Sequence, residues 1–159
     1  MIRYYVTNRR SGDVMAHATR AIQEKVDMIQ VREKDLSGRE LLELVRRICA
    51  LARGTATRVL VNDRLDIALA AGADGVHLPG NGLPAELVRP HVQVMGVSTH
   101  SLAEVVAAER AKADFVVFGP VFETPGKTPV GLDALREVTS AVRIPVLAIG
   151  GIQPSNLES

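Results

Sequence analysis

Seven short apolar runs punctuate the chain, and helix-patterned stretches separate them. They read as strands at Arg3–Thr7, Met28–Val31, Val59–Val61, Gly75–Leu78, Val92–Val97, Phe115–Phe118 and Val146–Ile149. Strands this short and apolar, alternating with helices, belong to a parallel sheet covered on both faces. An open doubly wound sheet and a closed eight-fold barrel both satisfy that pattern. What separates them is where the chemistry falls. A doubly wound sheet concentrates its ligands at one switch point. Here nearly every strand end carries loaded residues: Arg32-Glu33-Lys34, Asn62-Asp63-Arg64, Ser98-Thr99-His100, Thr124 to Lys127, and Gly150-Gly151. A parallel barrel gathers all such ends on one face. The expected fold class is therefore α/β, a (βα)8 TIM-barrel type, as a single domain over residues 1–159. Only seven strands are read, and the chain stops as a seventh helix opens at Pro154 to Leu157. An eighth βα unit needs about 30 further residues. The expectation is a barrel with its eighth unit missing, either cut short or left open between its first and last strands.

The helices carry their own start signals. The first is expected over Val14–Val26. Ser37 followed by Glu40 makes a capping box for the second, and Leu41, Leu42, Leu44, Val45, Ile48 and Leu51 give it an apolar face. Asp63 can cap a third helix running through Ala71, with Arg64 pairing with Asp66. Pro84 fits the first turn of a fourth. Ser101 with Glu104 makes a second capping box for a fifth, and a sixth spans Leu132–Val142.

Composition removes several classes of function. A net charge of +1 sets up no global field for nucleic acid or an anionic membrane. Aromatic residues make up 3% with no Trp, which leaves no base-stacking platform. No apolar stretch approaches 18 residues, so no membrane span or signal peptide is expected, and the default location is cytoplasmic. Cys49 is the single cysteine. It rules out an internal disulfide and a Cys metal cluster, and it reads as a buried, inert thiol.

The strand-end residues point to phosphate chemistry. Arg32 and Lys34 are two apart, so on an extended chain they share a direction and form a two-pronged anion clamp. Glu33 faces the other way and is expected in a structural ion pair. Asp63, at a barrel mouth beside phosphate-binding cations, can ligate Mg²⁺ through oxygen. Capping the third helix is the equal alternative. His77 lies inside a strand and reads as a satisfied structural histidine. His100 lies just past a strand and before a helix cap, where an imidazole can transfer protons near neutral pH. The Gly119-Pro120 to Lys127 loop reads as a lid or anion cradle. Gly150-Gly151 exposes main-chain N–H groups after the seventh strand, where many barrels bind phosphate. The site suits phosphate esters, with a divalent metal.

Five stretches taken together resemble a known family, thiamine phosphate synthase and its TenI-type relatives, the thiazole tautomerases. They are Gln30 to Lys34 (Gln-Val-Arg-Glu-Lys), Val61 to Leu78, Gly96 to Ser101 (Gly-Val-Ser-Thr-His-Ser), Phe118 to Phe122 with Thr124 and Lys127, and Ile149 to Ile152. They run in the family's order and span nearly the whole chain. The resemblance implies an eight-fold βα barrel. It implies a transferase of thiamine biosynthesis that joins hydroxymethylpyrimidine diphosphate to thiazole phosphate and releases diphosphate, with Mg²⁺ as cofactor. Arg32, Lys34, Asn62 and Lys127 would then hold the diphosphate, and Asp63 would ligate the metal. Gln30 and Ser98 would touch the pyrimidine or the leaving group, and Thr124 with Gly150-Gly151 would bind the thiazole phosphate.

The chain also departs from the synthase pattern. The resemblance implies a second metal-binding Asp shortly after the fourth strand, and Gly82 stands there. A second Thr in the loop after the sixth strand is Gly126, and Phe122-Glu123-Thr124 looks TenI-like. In a tautomerase, which shifts a proton on a thiazole phosphate, His100 would be the acid/base and Asp63 idle. A tautomerase has no diphosphate to grip, however, and this chain keeps Arg32, Lys34, Asp63 and Lys127. The synthase is the reading; the tautomerase is the alternative, and a non-catalytic thiazole or thiamine phosphate-binding regulator a third. The partners expected are small phosphate esters, with no nucleic acid and no membrane, and a homodimer is compatible with the sequence.

Overall fold

The structure, a computed structural model, describes residues 2–156. Strands and helices alternate: β1 Tyr4–Val6, α1 Val14–Gln23, β2 Met28–Val31, α2 Gly38–Ala52, β3 Arg58–Asn62, α3 Leu65–Ala71, β4 Gly75–Leu78, α4 Ala85–Val88, β5 Val94–Thr99, α5 Leu102–Arg110, β6 Phe115–Phe118, α6 Gly131–Ala141 and β7 Val146–Ala148. The expected seventh helix is a 3-10 turn over Pro154–Asn156, and Leu157 lies outside the described residues.

The chain divides into two compact units. One holds the residues up to His77 together with Pro90–Met95. In it β1 pairs β2, β2 pairs β3 and β3 pairs β4, all parallel, with Gln30 level with Val6 and Leu60, and Asn62 level with His77. The other holds Leu78–Arg89 and the residues from Gly96 onward. In it β5 pairs β6 and β6 pairs β7, again parallel, with Ser98 level with Val117 and Thr99 with Phe118. Successive parallel strands joined through helices are the βα units that the sequence implied.

β2 and β4 form as read because both their faces are covered. All four residues of β2 and all four of β4 are buried. On β2, Ile29 and Val31 point one way and Gln30 the other, so a polar side chain sits inside an apolar run. The Ser37–Glu40 capping box is complete: Ser37 Oγ accepts the Glu40 N–H at 3.3 Å, and Glu40 Oε2 accepts the Ser37 N–H at 2.9 Å. The buried stripe of α2 is Leu41, Val45, Ile48 and Ala52, at i, i+4, i+7 and i+11. Leu51 falls off that stripe and is exposed, contrary to the reading of the sequence. No helix among the described residues is long and apolar enough to cross a membrane. Cys49 is half-buried, and burial pushes its thiol up to about 11, in keeping with an inert side chain.

Candidate functional site

Two groups of polar side chains stand out, one in each unit. The first begins at Gln30. Its Nε2–H donates to Tyr4 Oη at 2.9 Å. The Tyr4 hydroxyl then lies 3.1 Å from His77 Nδ1, and the two rings pack with centroids 5.7 Å apart. Burial raises the Tyr4 pKa above its ordinary value, so the phenol keeps its proton. Gln30 Oε1 is buried with no partner among the described residues. Such an acceptor in a low-dielectric place is costly unless a ligand N–H completes it. Tyr4 was not legible as a site residue, because its role depends on the β1–β2 register and not on a motif.

His77 is the satisfied structural histidine expected. Burial lowers its pKa to about 4, and the Arg32 charge adds to the shift. In the unfolded chain the ring titrates near 6.5. Below that pH the unfolded chain takes up a proton that the folded chain refuses. Stability is therefore full above pH 6.5 and falls as pH drops toward 4, by about 3 kcal/mol. Urea midpoints measured from pH 7 to pH 4 should decline more steeply for the unaltered chain than for His77→Asn, which keeps a polar side chain beside Tyr4 but cannot titrate. Equal slopes would remove His77 as the cause.

At the end of β2 the extended chain stops after Val31. A turn follows, with the Leu36 N–H on the Glu33 carbonyl at 3.4 Å. The expected shared direction of Arg32 and Lys34 rested on strand alternation, and the strand itself ends at Val31, before both of them. Arg32 reaches His77 electrostatically, whereas Lys34 lines a cavity of about 250 Å³ with Glu33, Asn62, Asp63 and Arg64. Among the described residues Glu33 makes no ion pair. Its carboxylate is buried and accepts the main-chain N–H of Arg9, while the Arg9 guanidinium pairs with Asp35.

Asp63 does not cap α3. Arg64 takes the N-cap position, and no side chain there makes a cap hydrogen bond. Asp66 supplies the negative charge in the first turn and pairs with Arg64 through two bonds of 2.8 and 2.6 Å, as the sequence suggested. Asp63 instead adopts a left-handed backbone, φ 63°, with its N–H on the His77 carbonyl at 2.9 Å. That conformation is uncommon outside glycine, though Asp tolerates it better than most. Its carboxylate is exposed and makes no cap bond to α3. Asn62, expected just beyond its strand, is the last residue of β3.

The second group lies in the other unit. Ser98 and Thr99 were expected past the strand; β5 in fact runs through both, with Ser98 half-buried. His100 follows. Its Nδ1 is 2.5 Å from the Gly119 carbonyl. A carbonyl cannot donate, so the proton of this bond is on Nδ1. Glu104 Oε2 accepts the His100 N–H at 2.6 Å. The second capping box is thus half made: Ser101 Oγ accepts from Glu104 N–H at 3.3 Å, but the Glu104 carboxylate reaches one residue further back.

The β6–α6 loop and the residues after β7 close on one another. Val121 N–H bonds the Ile149 carbonyl at 2.8 Å and Phe122 N–H the Gly150 carbonyl at 3.0 Å. Gly150 and Gly151 have φ of 95° and 64°. A Cβ on Gly150 would stand 2.3 Å from Pro120 Cβ and 3.2 Å from Thr124 Oγ1. The pair is glycine for both reasons, backbone and space. Thr124 and exposed Lys127 are joined by an isolated bridge, the Lys127 N–H on the Thr124 carbonyl at 3.0 Å. So Thr124, Lys127 and the Gly pair, scattered over 28 positions, do share one place.

As a metal site the first group offers Asp63 with the Asn62 amide beside it. Among the described residues no cluster of three His, Cys, Asp or Glu could hold an ion alone. That donor set fits Mg²⁺, which keeps several waters and binds through one or two carboxylates plus substrate phosphates.

The family described as thiamine monophosphate synthase matches residues 3–159. The thiamine-phosphate synthase of Chlorobium limicola is 42% identical over 161 residues, covering 97% of this chain and 76% of the relative. That of Clostridium novyi is 39% identical over 166 residues, covering 98% and 81%. The solved thiamine phosphate pyrophosphorylase from Pyrococcus furiosus superposes with a TM-score of 0.87 at 36% identity, over 96% of this chain and 76% of that one. The fold class is accordingly the α/β TIM-barrel type, with seven strands among the described residues.

Proposed function

The chain belongs to the thiamine monophosphate synthase family, and from that membership we propose that it joins hydroxymethylpyrimidine diphosphate to thiazole phosphate. It is an enzyme of thiamine biosynthesis, a transferase. In this reaction the bond from the pyrimidine methylene to the diphosphate oxygen breaks, and a bond from that carbon to the thiazole nitrogen forms. Departure of the diphosphate leaves a stabilised pyrimidine cation. Cationic side chains held near the leaving oxygens stabilise the charge that develops there. In the first group Arg32 and Lys34 take that role, the neutral Asn62 amide donates hydrogen bonds to the same oxygens, and Gln30 Oε1, unpartnered among the described residues, accepts from an N–H on the pyrimidine. In the second group Thr124 and the Gly150-Gly151 amides bind the thiazole phosphate. Ser98 contacts the pyrimidine or the leaving group, and Lys127 adds charge for the diphosphate. Asp63 would hold Mg²⁺, which when bound neutralises diphosphate charge. Orienting the two substrates in line supplies much of the remaining rate.

The observation that carries this reading is the exposed Asp63 carboxylate, spared from capping and lining a cavity with Lys34 and Asn62. A second reading is favoured by His100, whose ring is held through Nδ1 by the Gly119 carbonyl. There the chain would shift a proton on a thiazole phosphate. Purified protein is mixed with both synthase substrates and, separately, with the unaromatised thiazole tautomer, and products are followed by mass. The synthase reading expects thiamine phosphate from the first mixture, and it expects His100→Ala to retain that activity. Aromatised thiazole alone, lost in His100→Ala, would replace it with the tautomerase. Small phosphate-ester partners and a cytoplasmic location go with the synthase reading, and sedimentation velocity distinguishes a monomer from a homodimer.

A further inference from the structure

Glu33 is the strand-end charge that the proposed reaction leaves unused, and it is the buried one. Only 5% of it is exposed, whereas Arg32 and Lys34 on either side lie in solvent. A carboxylate withdrawn from water needs strong hydrogen bonds in compensation. Both Glu33 oxygens stand 3.1 Å from the main-chain N–H of Arg9. Arg9 opens a short 3-10 turn in the β1–α1 loop, which Asn8 caps. Three further ties run beside this one. Thr7 Oγ1, buried, accepts the Arg32 N–H at 2.9 Å. The Thr7 N–H donates to the Gln30 carbonyl at 2.9 Å. The Arg9 guanidinium pairs with Asp35 at 3.2 Å. The loop after β1 is thus stitched to the turn after β2, with Glu33 at the centre of the seam.

We propose that Glu33 is a positioning residue, whose carboxylate latches the β1–α1 loop onto the β2 turn and thereby holds Arg32 and Lys34 where they grip the diphosphate. The latch itself is read from hydrogen bonds alone; the identity of the gripped anion rests on the synthase reading. Charge by itself argues the other way. An acid between two cations weakens an anion site, so neutralising Glu33 should tighten anion binding if its charge were all that mattered. The groups facing it do not change that sign: Tyr5 is neutral, and Asp63 and Arg64, which line the same cavity, oppose one another.

The test compares Glu33→Gln and Thr7→Val with the unaltered chain. Trypsin cleavage after Arg9 and Arg10 reads the loop, and titration with inorganic diphosphate in Mg²⁺ reads the clamp. Far-UV circular dichroism confirms the fold. The latch predicts cleavage about 10-fold faster in Glu33→Gln and diphosphate binding about 10-fold weaker, the scale of one hydrogen bond to a charged group. Thr7→Val, which alters no charge, shifts both in the same direction by less, and it decides the matter should Glu33→Gln not fold. Unchanged cleavage in both variants, or tighter diphosphate binding in Glu33→Gln, overturns the proposal. Failure of the unaltered chain to bind diphosphate sinks the synthase reading and the clamp half of the proposal, while the cleavage rates still decide the latch.

Discussion

Asp63→Asn is expected to cut magnesium-dependent diphosphate release by roughly two to three orders of magnitude while the protein stays folded, the range seen when one preorganised electrostatic group is removed. Several features of the residue lead there. Its carboxylate makes no cap bond to α3, so that helix does not depend on it. Its left-handed backbone is one that Asn adopts as readily, so the substitution adds no strain. Its charge stands in the cavity that Lys34 and Asn62 line, and Gly82 occupies the place where the synthase pattern has a second Asp. The other carboxylate lining that cavity, Glu33, is already engaged by the Arg9 N–H, so loss of Asp63 should be nearly complete. The measurement is the steady-state rate of diphosphate release across a Mg²⁺ titration, with the melting temperature as control. A rate within a few-fold of the unaltered chain would take Asp63 out of the mechanism.

Gly75→Ala should be the most damaging substitution for the fold. A Cβ at the first residue of β4 would lie 1.7 Å from the Val94 carbonyl oxygen and 2.6 Å from its carbon. Both are main-chain atoms, so no side chain can swing aside. The Val94 N–H is moreover tied to the Asp74 carbonyl at 3.1 Å. Relief requires moving β4 or β5, and overpacking of that kind costs about 3 kcal/mol or more. A domain with 5–15 kcal/mol to lose in total, in order of magnitude, is left marginal. Urea denaturation should show a large fall in midpoint, or the variant should be recovered only insoluble. Gly80→Ala makes the comparison, since its Cβ would meet only the Ser98 carbonyl at 3.6 Å, an ordinary contact. Equal midpoints for the two variants would mean that the strands are not packed as described.

How much of this the sequence revealed follows the range of the interactions. β2, β4 and β6 keep the bounds read from their apolar runs, because both faces of each are covered and no local alternative competes. The Ser37–Glu40 box was legible because it closes within one turn. Local reasoning failed where a distant partner outbid a near one. Asp63 could be read as a cap or as a metal ligand, but its own N–H goes to the His77 carbonyl on β4 and its backbone is left-handed, so Arg64 takes the N-cap position and Asp66 is the acid of the first turn. Glu104 looked like the second half of a box, but its carboxylate holds His100. Glu33 looked like an ion pair, but its partner is a main-chain N–H 24 positions away. Gln30, Thr124 and the Gly pair were singled out by motif. What the motif could not supply was the Gln30–Tyr4–His77 relay or the packing of Gly150 on Pro120, since strand register and loop closure decide both.

The most direct test of the central claim, that the side chains after β2 and β3 grip a diphosphate with magnesium, is calorimetric titration with hydroxymethylpyrimidine diphosphate, with and without Mg²⁺. The account predicts binding that requires Mg²⁺, is abolished in the Arg32→Ala/Lys34→Ala double variant, and is unaffected by His100→Ala. Magnesium-independent binding that survives the double variant would contradict it.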